Sequence, residues 1–227
     1  MTDRKALEAG EGGTGVLGKI RAALEAGVDW VQLREKDLAG KELLALAREA
    51  VAAAAAVADS AAASVSRVRE ASSERGIARL IVNDRLDVAL AAGAAGVHLG
   101  RQSLGAREVM NWCRSGHAPA EFLVGVSCHC LQEAREAESA GASYIFFGPV
   151  FDTPAKRSMG EPQGVARLAE VCRGVHIPVL AIGGVSEENA GECARAGAAG
   201  IAAIRMFQGA REAGALKDLA GRLHDLS

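Results

Sequence analysis

Arg34 and Lys36 stand two residues apart at the end of an apolar run, Val31-Gln32-Leu33-Arg34-Glu35-Lys36-Asp37. In an extended strand, residues two apart point to one side, so Gln32, Arg34 and Lys36 form a compact cationic cluster. Arg and Lys sharing the inward side of a strand need an anionic partner; the bland alternative is a solvated loop of Arg–Glu pairs. A second apolar run ends Ile81-Val82-Asn83-Asp84-Arg85. Either Asp84 holds Mg²⁺, a hard cation suited to carboxylate and phosphate oxygens, or Asn83 or Asp84 caps the helix that begins near Leu86. A third run closes in Gly125-Val-Ser127-Cys-His129, with Ser127 and His129 on one side. The loop Gly148-Pro-Val-Phe-Asp-Thr153-Pro-Ala-Lys156-Arg157 is long and cationic, and Thr153 and Lys156 suit phosphate or diphosphate. Loops of that length are often functional lids. In Ala181-Ile-Gly183-Gly184-Val-Ser186 an apolar run opens onto a helix through two glycines, and backbone N–H groups at a helix N-terminus bind phosphate. The combined chemistry is a phosphate cradle facing an Arg/Lys/Asp cluster, which suits two anionic substrates or one long one. A carboxylate pair, a Ser/His/Asp set and a catalytic cysteine context are all missing. Cys128 and Cys130 flank His129 but have no second ligand pair, so they make a weak zinc site.

The elements that must position these residues repeat. Ala23-Leu-Glu-Ala-Gly27-Val-Asp-Trp-Val31 returns as Ala89–Val97, Ala137–Ile145 and Cys193–Ile201, each a helix end, a glycine and a short apolar run. Glycine after a helix takes the left-handed conformation that ends it. Strands are expected at Val28–Leu33, Leu80–Val82, Gly96–Leu99, Phe122–Val126, Tyr144–Phe147, Val179–Ile182 and Gly200–Ile204. Amphipathic helices are expected between them, among them Gly40–Val57, Leu131–Ala140 and Glu187–Ala196. Alternating strands and helices make a parallel sheet. Seven strands plus a fragment at the N-terminus suit a (β/α)8 TIM barrel, α/β in class, whose active site lies at the C-terminal strand ends. A doubly wound open sheet is the runner-up. Gly10-Glu-Gly-Gly-Thr-Gly15 follows no strand and reads as a flexible loop; Ser60–Gly76 reads as a charged, Ser-rich extension, a long helix plus a loop.

Composition agrees. The 227 residues, 49% hydrophobic and 24% charged, are enough for one domain over 1–227 with its own core. A net charge of −2 and 4% aromatics argue against a nucleic-acid partner. Ala50–Val65 is mostly alanine and carries Asp59, which makes a helix and not a membrane span. Five cysteines without framework spacing and a polar, charged N-terminal stretch read as a reduced, cytoplasmic protein. The composition is compatible with a homo-oligomer as well as with a monomer.

Gln32-Leu-Arg-Glu-Lys36, Asn83-Asp84-Arg85, Gly96-Val-His-Leu-Gly100, Gly125-Val-Ser127-x-His129, Gly148-Pro-Val-Phe-x-Thr153-Pro-x-Lys156 and Ala181-Ile-Gly-Gly184 occur in this order. Together, over about residues 2–207, they resemble thiamine phosphate synthase. The resemblance implies a barrel enzyme that joins hydroxymethylpyrimidine diphosphate to a thiazole phosphate and releases pyrophosphate, with Mg²⁺ as cofactor and these small molecules as partners. It implies Arg34, Lys36, Ser127 and Lys156 as the catalytic set. Gln32, Arg34, Lys36, Asn83 and Ser127 would hold the pyrimidine and its diphosphate. Asp84 would bind Mg²⁺, and Thr153 and Lys156 would lie between the substrates. Gly183, Gly184, Ile204 and Arg205 would surround the thiazole phosphate.

Three departures from the family pattern stand out. Ser103 occupies the place where a second Mg²⁺ carboxylate is usual, with Arg101 nearby to offset diphosphate charge. Arg205 replaces a phosphate-binding hydroxyl after the last strand and would bind phosphate bidentately or turn away. The chain reads Met1-Thr2-Asp3-Arg4 where the end of the first strand belongs, so that strand is expected short or missing. Two other functions compete: the thiazole tautomerase of the sister branch, and a non-catalytic protein that binds thiazole phosphate.

Overall fold

The computed structural model describes residues 1–4, 15–65, 79–153, 161–209 and 213–226. The elements in order are α1 (Val16–Glu25), β1 (Trp30–Leu33), α2 (Gly40–Val65), β2 (Arg79–Asn83), α3 (Leu86–Ala92) and β3 (Gly96–Leu99). Next come α4 (Ala106–Trp112), β4 (Leu123–Cys128), α5 (Leu131–Ala140), β5 (Tyr144–Phe147) and α6 (Gly164–Gly174). The chain finishes with β6 (Val179–Ile182), α7 (Glu187–Arg195), β7 (Gly200–Ala202), α8 (Arg205–Gly209) and α9 (Ala213–His224). Among the described residues the strands form one seven-stranded sheet, β1 to β7 in chain order, every neighbouring pair parallel. This is the expected barrel order.

The four repeated phrases share one geometry. Gly27, Gly93, Gly141 and Gly197 all have positive φ, at 89°, 69°, 91° and 93°. The residue after each glycine sends its N–H back over the helix end: Val28 to Ala23 O, Ala94 to Ala89 O, Ala142 to Ala137 O and Ala198 to Cys193 O, at 2.9–3.1 Å. This satisfies the orphan carbonyls of the helix and turns the chain into the next strand. It also explains why β1 starts at Trp30 and not at Val28, whose N–H belongs to the helix end. At the other end of the sheet, β7 stops at Ala202 because Ile204 already accepts the first turn of α8, from Gln208 N at 2.9 Å. Helix α2 runs on to Val65 rather than stopping at Val57.

Strands β3 and β5 are buried along their whole length, as a sheet covered on both faces requires. The apolar core falls into two groups. Ile20, Leu24, Leu33, Leu43, Val82, Val97 and Val124 fill the β1–β4 half. Ile145, Phe147, Leu168, Val171, Val179 and Cys193 fill the β5–β7 half. Buried Ala47, Ala50, Ala53 and Ala54 bring α2 close to the sheet. Among the described residues no helix is long and apolar enough to cross a membrane.

The first strand is indeed reduced. Residues 1–3 carry no strand assignment and lie between β7 and β1. The Met1 amino group donates to Ala203 O at 3.3 Å, and Thr2 N donates to Gln32 O at 2.8 Å. Thr2 Oγ1 then accepts from Arg34 N at 2.9 Å, so Thr2 grips β1 on both sides of Leu33. Below this contact a cavity of about 670 Å³ opens between the two strands, lined by Trp30, Ile81, Tyr144, Phe146, Leu180 and Ile201. The cavity is partly open to solvent, and it lies where an additional strand would close the barrel.

Candidate active site

At the C-terminal ends of β1 to β4 polar side chains form a connected run. Gln32 is buried on β1, and its Nε2 donates to Asn83 Oδ1 at 2.9 Å. Asn83 Nδ2 donates to Asp84 Oδ2 at 2.6 Å. Asp84 Oδ1 accepts from Gly100 N at 3.2 Å and from the Ser103 hydroxyl. The sequence alternatives for Asp84 are therefore resolved in part: its carboxylate caps no helix but is the hub of a four-residue cluster. The backbone at Asp84 is left-handed, φ 61°, which costs an L-residue about 1–2 kcal/mol. Asp84 N donates to His98 O at 2.8 Å, which ties the turn to β3.

Gln32 carries a feature that the sequence could not show. Its Oε1 is buried and has no hydrogen-bond partner among the described residues. A buried amide oxygen left unpaired is costly, and this one sits beside the Asn83–Asp84 pair.

The cationic cluster is only partly assembled. β1 ends at Leu33, so strand alternation does not carry on to Lys36. Arg34 is half-buried, but Lys36 is exposed. Glu35 is the residue that turns inward: it is 6% exposed, and its Oε2 accepts from Arg4 N at 3.0 Å. Asp37 pairs with Arg4 at 2.6 Å. The segment is a turn anchored to the N-terminal residues, so Lys36 stands exposed beyond the strand ladder. Arg101 is exposed too, facing Glu133 at 3.9 Å.

Across the mouth, β5, β6 and β7 bring a second group together. Thr153 is 8% exposed, and Arg205 Nη2 donates to its Oγ1 at 3.0 Å. Ile204, half-buried, immediately precedes Arg205. Gly183 and Gly184 both have positive φ, 94° and 67°. A Cβ at Gly184 would come within 2.6 Å of Asp152 O, and one at Gly183 within 2.6 Å of Pro149. The two glycines thus let the loop after β5 lie directly on the turn after β6. Phe151 N donates to Gly183 O at 2.9 Å, which fixes that contact. Asn189 clamps the same turn: its Nδ2 donates to Gly184 O at 3.0 Å, and its Oδ1 accepts from Ser186 N at 2.8 Å. Lys156 lies outside the described residues.

Three residues of this region had escaped sequence reading: His98, Tyr144 and Asn189. Ser186-x-x-Asn189 has the spacing of a helix capping pair and was legible as one. His98, a polar residue inside a wholly buried strand, was a visible signal as well. Ser127 Oγ lies 2.9 Å from His98 Nε2, and His98 Nδ1 lies 3.2 Å from Tyr144 Oη. His129, on the same strand end, has Nδ1 2.5 Å from Gly148 O. Cys128 is buried and its thiol is pushed up to about 12 by burial. Among the described residues no group of three or more His, Cys, Asp or Glu is placed to hold a metal ion. A Mg²⁺ site here would have one carboxylate, Asp84, with the Ser103 hydroxyl at its side; Mg²⁺ is commonly held by one or two carboxylates plus substrate phosphates, so the donor set would fit a site shared with substrate and not an all-protein one.

Comparison with known proteins agrees with this geometry. The profile of the thiamine monophosphate synthase family matches residues 55–207. The chain is 39% identical over 210 residues to the thiamine-phosphate synthase of Roseiflexus sp., covering 92% of this chain and 77% of that one. It is 36% identical over 207 residues to the thiamine-phosphate synthase of Moorella thermoacetica, covering 90% and 86%. Among solved structures, thiamine phosphate pyrophosphorylase from Pyrococcus furiosus superposes with a TM-score of 0.76 at 28% identity, covering 94% of this chain and 91% of that one. The chain belongs to the thiamine monophosphate synthase family.

Proposed function

We propose that this chain is a thiamine phosphate synthase, a transferase that joins hydroxymethylpyrimidine diphosphate to thiazole phosphate. The observation that carries the reading is the buried, unpartnered Oε1 of Gln32 at the head of the Gln32–Asn83–Asp84 run. An aminopyrimidine supplies the N–H donor that this oxygen lacks. Its diphosphate then reaches toward Asp84, Ser103 and Ser127, and the thiazole phosphate lies against Gly183, Gly184 and Arg205.

In the reaction the bond between the pyrimidine methylene carbon and the diphosphate oxygen breaks, and its electron pair leaves with pyrophosphate. The methylene cation is stabilised by the ring's amino group. The thiazole nitrogen gives its lone pair to that carbon, forming the new C–N bond. Arg34, Ser127 and the guanidinium of Arg205 act on oxygens that carry negative charge, and charge-assisted hydrogen bonds of this type contribute about 1.5–3 kcal/mol each. Lys36 and Lys156 are assigned to the leaving diphosphate on their charge and on the family resemblance. Asp84 would hold Mg²⁺, which would supply charge neutralisation for the diphosphate. The loop after β5, packed on the Gly183–Gly184 turn, keeps the two sites adjacent and limits water.

The test is a reaction containing both substrates and Mg²⁺, with thiamine phosphate measured by chromatography. Product that requires both substrates supports the reading. Isomerised thiazole phosphate without condensation indicates the tautomerase instead, and thiazole phosphate binding without turnover indicates a binding protein.

A further inference from the structure

His98 is 2% exposed, at the centre of the barrel. Its ring lies 4.2 Å from that of Phe146 and 5.6 Å from that of Tyr144, centroid to centroid. Trp30 meets Tyr144 edge-on at 4.8 Å. Strand register places Gly125 beside both His98 and Tyr144. A Cβ at Gly125 would run into the Tyr144 ring and hydroxyl, so this glycine makes room for the phenol to reach the imidazole.

The hydrogen-bond directions follow from counting donors. Burial raises the pKa of Tyr144, so the phenol keeps its proton. A buried tyrosine O–H finds an acceptor, and among the described residues its hydrogen-bond partner is His98 Nδ1 at 3.2 Å. A neutral imidazole has one N–H. If Nδ1 accepts from tyrosine, that N–H sits on Nε2 and points at Ser127 Oγ, 2.9 Å away. Ser127 then accepts from histidine, and its own proton is available to another acceptor. The same histidine holds Asp84 N through its backbone carbonyl at 2.8 Å.

We propose that His98 is a positioning residue: locked by Tyr144 as the Nε2–H tautomer, it makes Ser127 a directed hydrogen-bond donor toward an anionic oxygen at the barrel mouth. The opposite tautomer would turn the Ser127 proton inward and present lone pairs to the anion. The inference rests on the assignment of Ser127 to the diphosphate site.

Two measurements test it. In protein labelled with ¹⁵N-histidine, the His98 ring, assigned by its loss in His98→Gln, is expected to show a protonated Nε2 and an unprotonated Nδ1. A protonated Nδ1, or an imidazolium at neutral pH, overturns the proposal. This readout needs no turnover, so it stands apart from any failure of the condensation reading, which absence of thiamine phosphate in the unmodified protein would reveal. The second is a mutant cycle. His98→Phe is expected to lower kcat by about 10²-fold with KM little changed, the scale of a misplaced catalytic contact. His98→Gln, which returns an N–H near the Nε2 position, recovers most of that loss. In a Ser127→Ala background His98→Phe costs less than about threefold more, because the two residues act as one unit. Losses that multiply independently overturn the proposal. Should His98→Phe not fold, Tyr144→Phe replaces it: a mixed Nδ1–H and Nε2–H population and a lowered kcat are expected, and an unshifted tautomer overturns the lock.

Discussion

Arg205 donates to Thr153 at 3.0 Å and so joins the end of β7 to the loop after β5. The contact closes a corner around the Gly183–Gly184 turn. A guanidinium there binds phosphate more geometrically than a hydroxyl would. Arg205→Ser is expected to raise the KM for thiazole phosphate by about 10–100-fold, the scale of one lost hydrogen bond to a charged group. The KM for the pyrimidine diphosphate should stay the same. Arg205→Lys should recover only part of the loss, because lysine lacks the planar fork. An unchanged KM in Arg205→Ser would mean that the side chain serves Thr153 alone.

Asp84 and Ser103 give a second prediction. Asp84→Asn keeps a residue type tolerant of the left-handed backbone and removes only the charge. It should lower kcat by at least ~10²-fold, as should Lys156→Ala, on the scale of lost electrostatic groups. Ser103→Asp adds a second carboxylate beside the first. Calorimetry with Mg²⁺ and pyrophosphate should then show tighter Mg²⁺ binding, roughly tenfold or about 1.4 kcal/mol. Equal Mg²⁺ affinity in the two proteins would contradict Mg²⁺ binding at Asp84.

Asn189 supports the Gly183–Gly184 turn through its two hydrogen bonds. Asn189→Ala should cost about 1–2 kcal/mol of stability, as lost helix caps do, together with a raised KM for thiazole phosphate. Gly184→Ala should be worse, since its Cβ meets the backbone of Asp152 and φ is 67°. Thermal unfolding of both variants measures the difference. Equal melting temperatures would contradict the clamp.

Alkaline pH should unfold the protein through its buried thiols. Burial pushes Cys128 up to about 12 and Cys193 to about 11, from an ordinary value of 9.0. Raised native pKa values mean that the native state holds its protons longer than the unfolded one. The stability is therefore fully present below pH 9 and is lost as pH rises from 9 toward 11–12, by about 1.4 kcal/mol per pH unit for each fully coupled thiol. Urea midpoints at pH 8, 9 and 10 should be flat and then fall. At neutral pH a thiol reagent should modify exposed Cys130 and spare buried Cys128 and Cys193.

Among the described residues, Met1 and Thr2 are what bonds to the outer edges of β1 and β7. Amide hydrogens of these two strands should exchange faster than those of β3, β4 and β5, which have a paired strand on each side. Equal protection throughout the sheet would mean that the gap costs no local stability.

Most of the strand order was legible because its signal is local. A helix end, a glycine and a buried apolar run recur four times, and each occurrence makes the same backbone hydrogen bond after its glycine. Seven parallel strands followed from that phrase and its neighbours. Asp84, Ser127 and the Gly183–Gly184 turn were legible because each stands immediately after an apolar run. Lys36 was beyond the reach of the alternation argument for a physical reason: strand alternation holds only while the ladder lasts, and the ladder ends at Leu33. Glu35 is buried instead, through its contact with Arg4. His98 with Tyr144, and Arg205 with Thr153, are pairs 46 and 52 residues apart. No local pattern carries such a distance, so these pairings needed the folded barrel.

The most direct test of condensation is ³¹P NMR on a single reaction with hydroxymethylpyrimidine diphosphate, thiazole phosphate and Mg²⁺. The substrate diphosphate resonances should disappear only when thiazole phosphate is present, with one pyrophosphate and one thiamine phosphate formed per pyrimidine consumed. Pyrophosphate released without thiazole phosphate, or both substrates left unchanged, would contradict the proposed synthase activity.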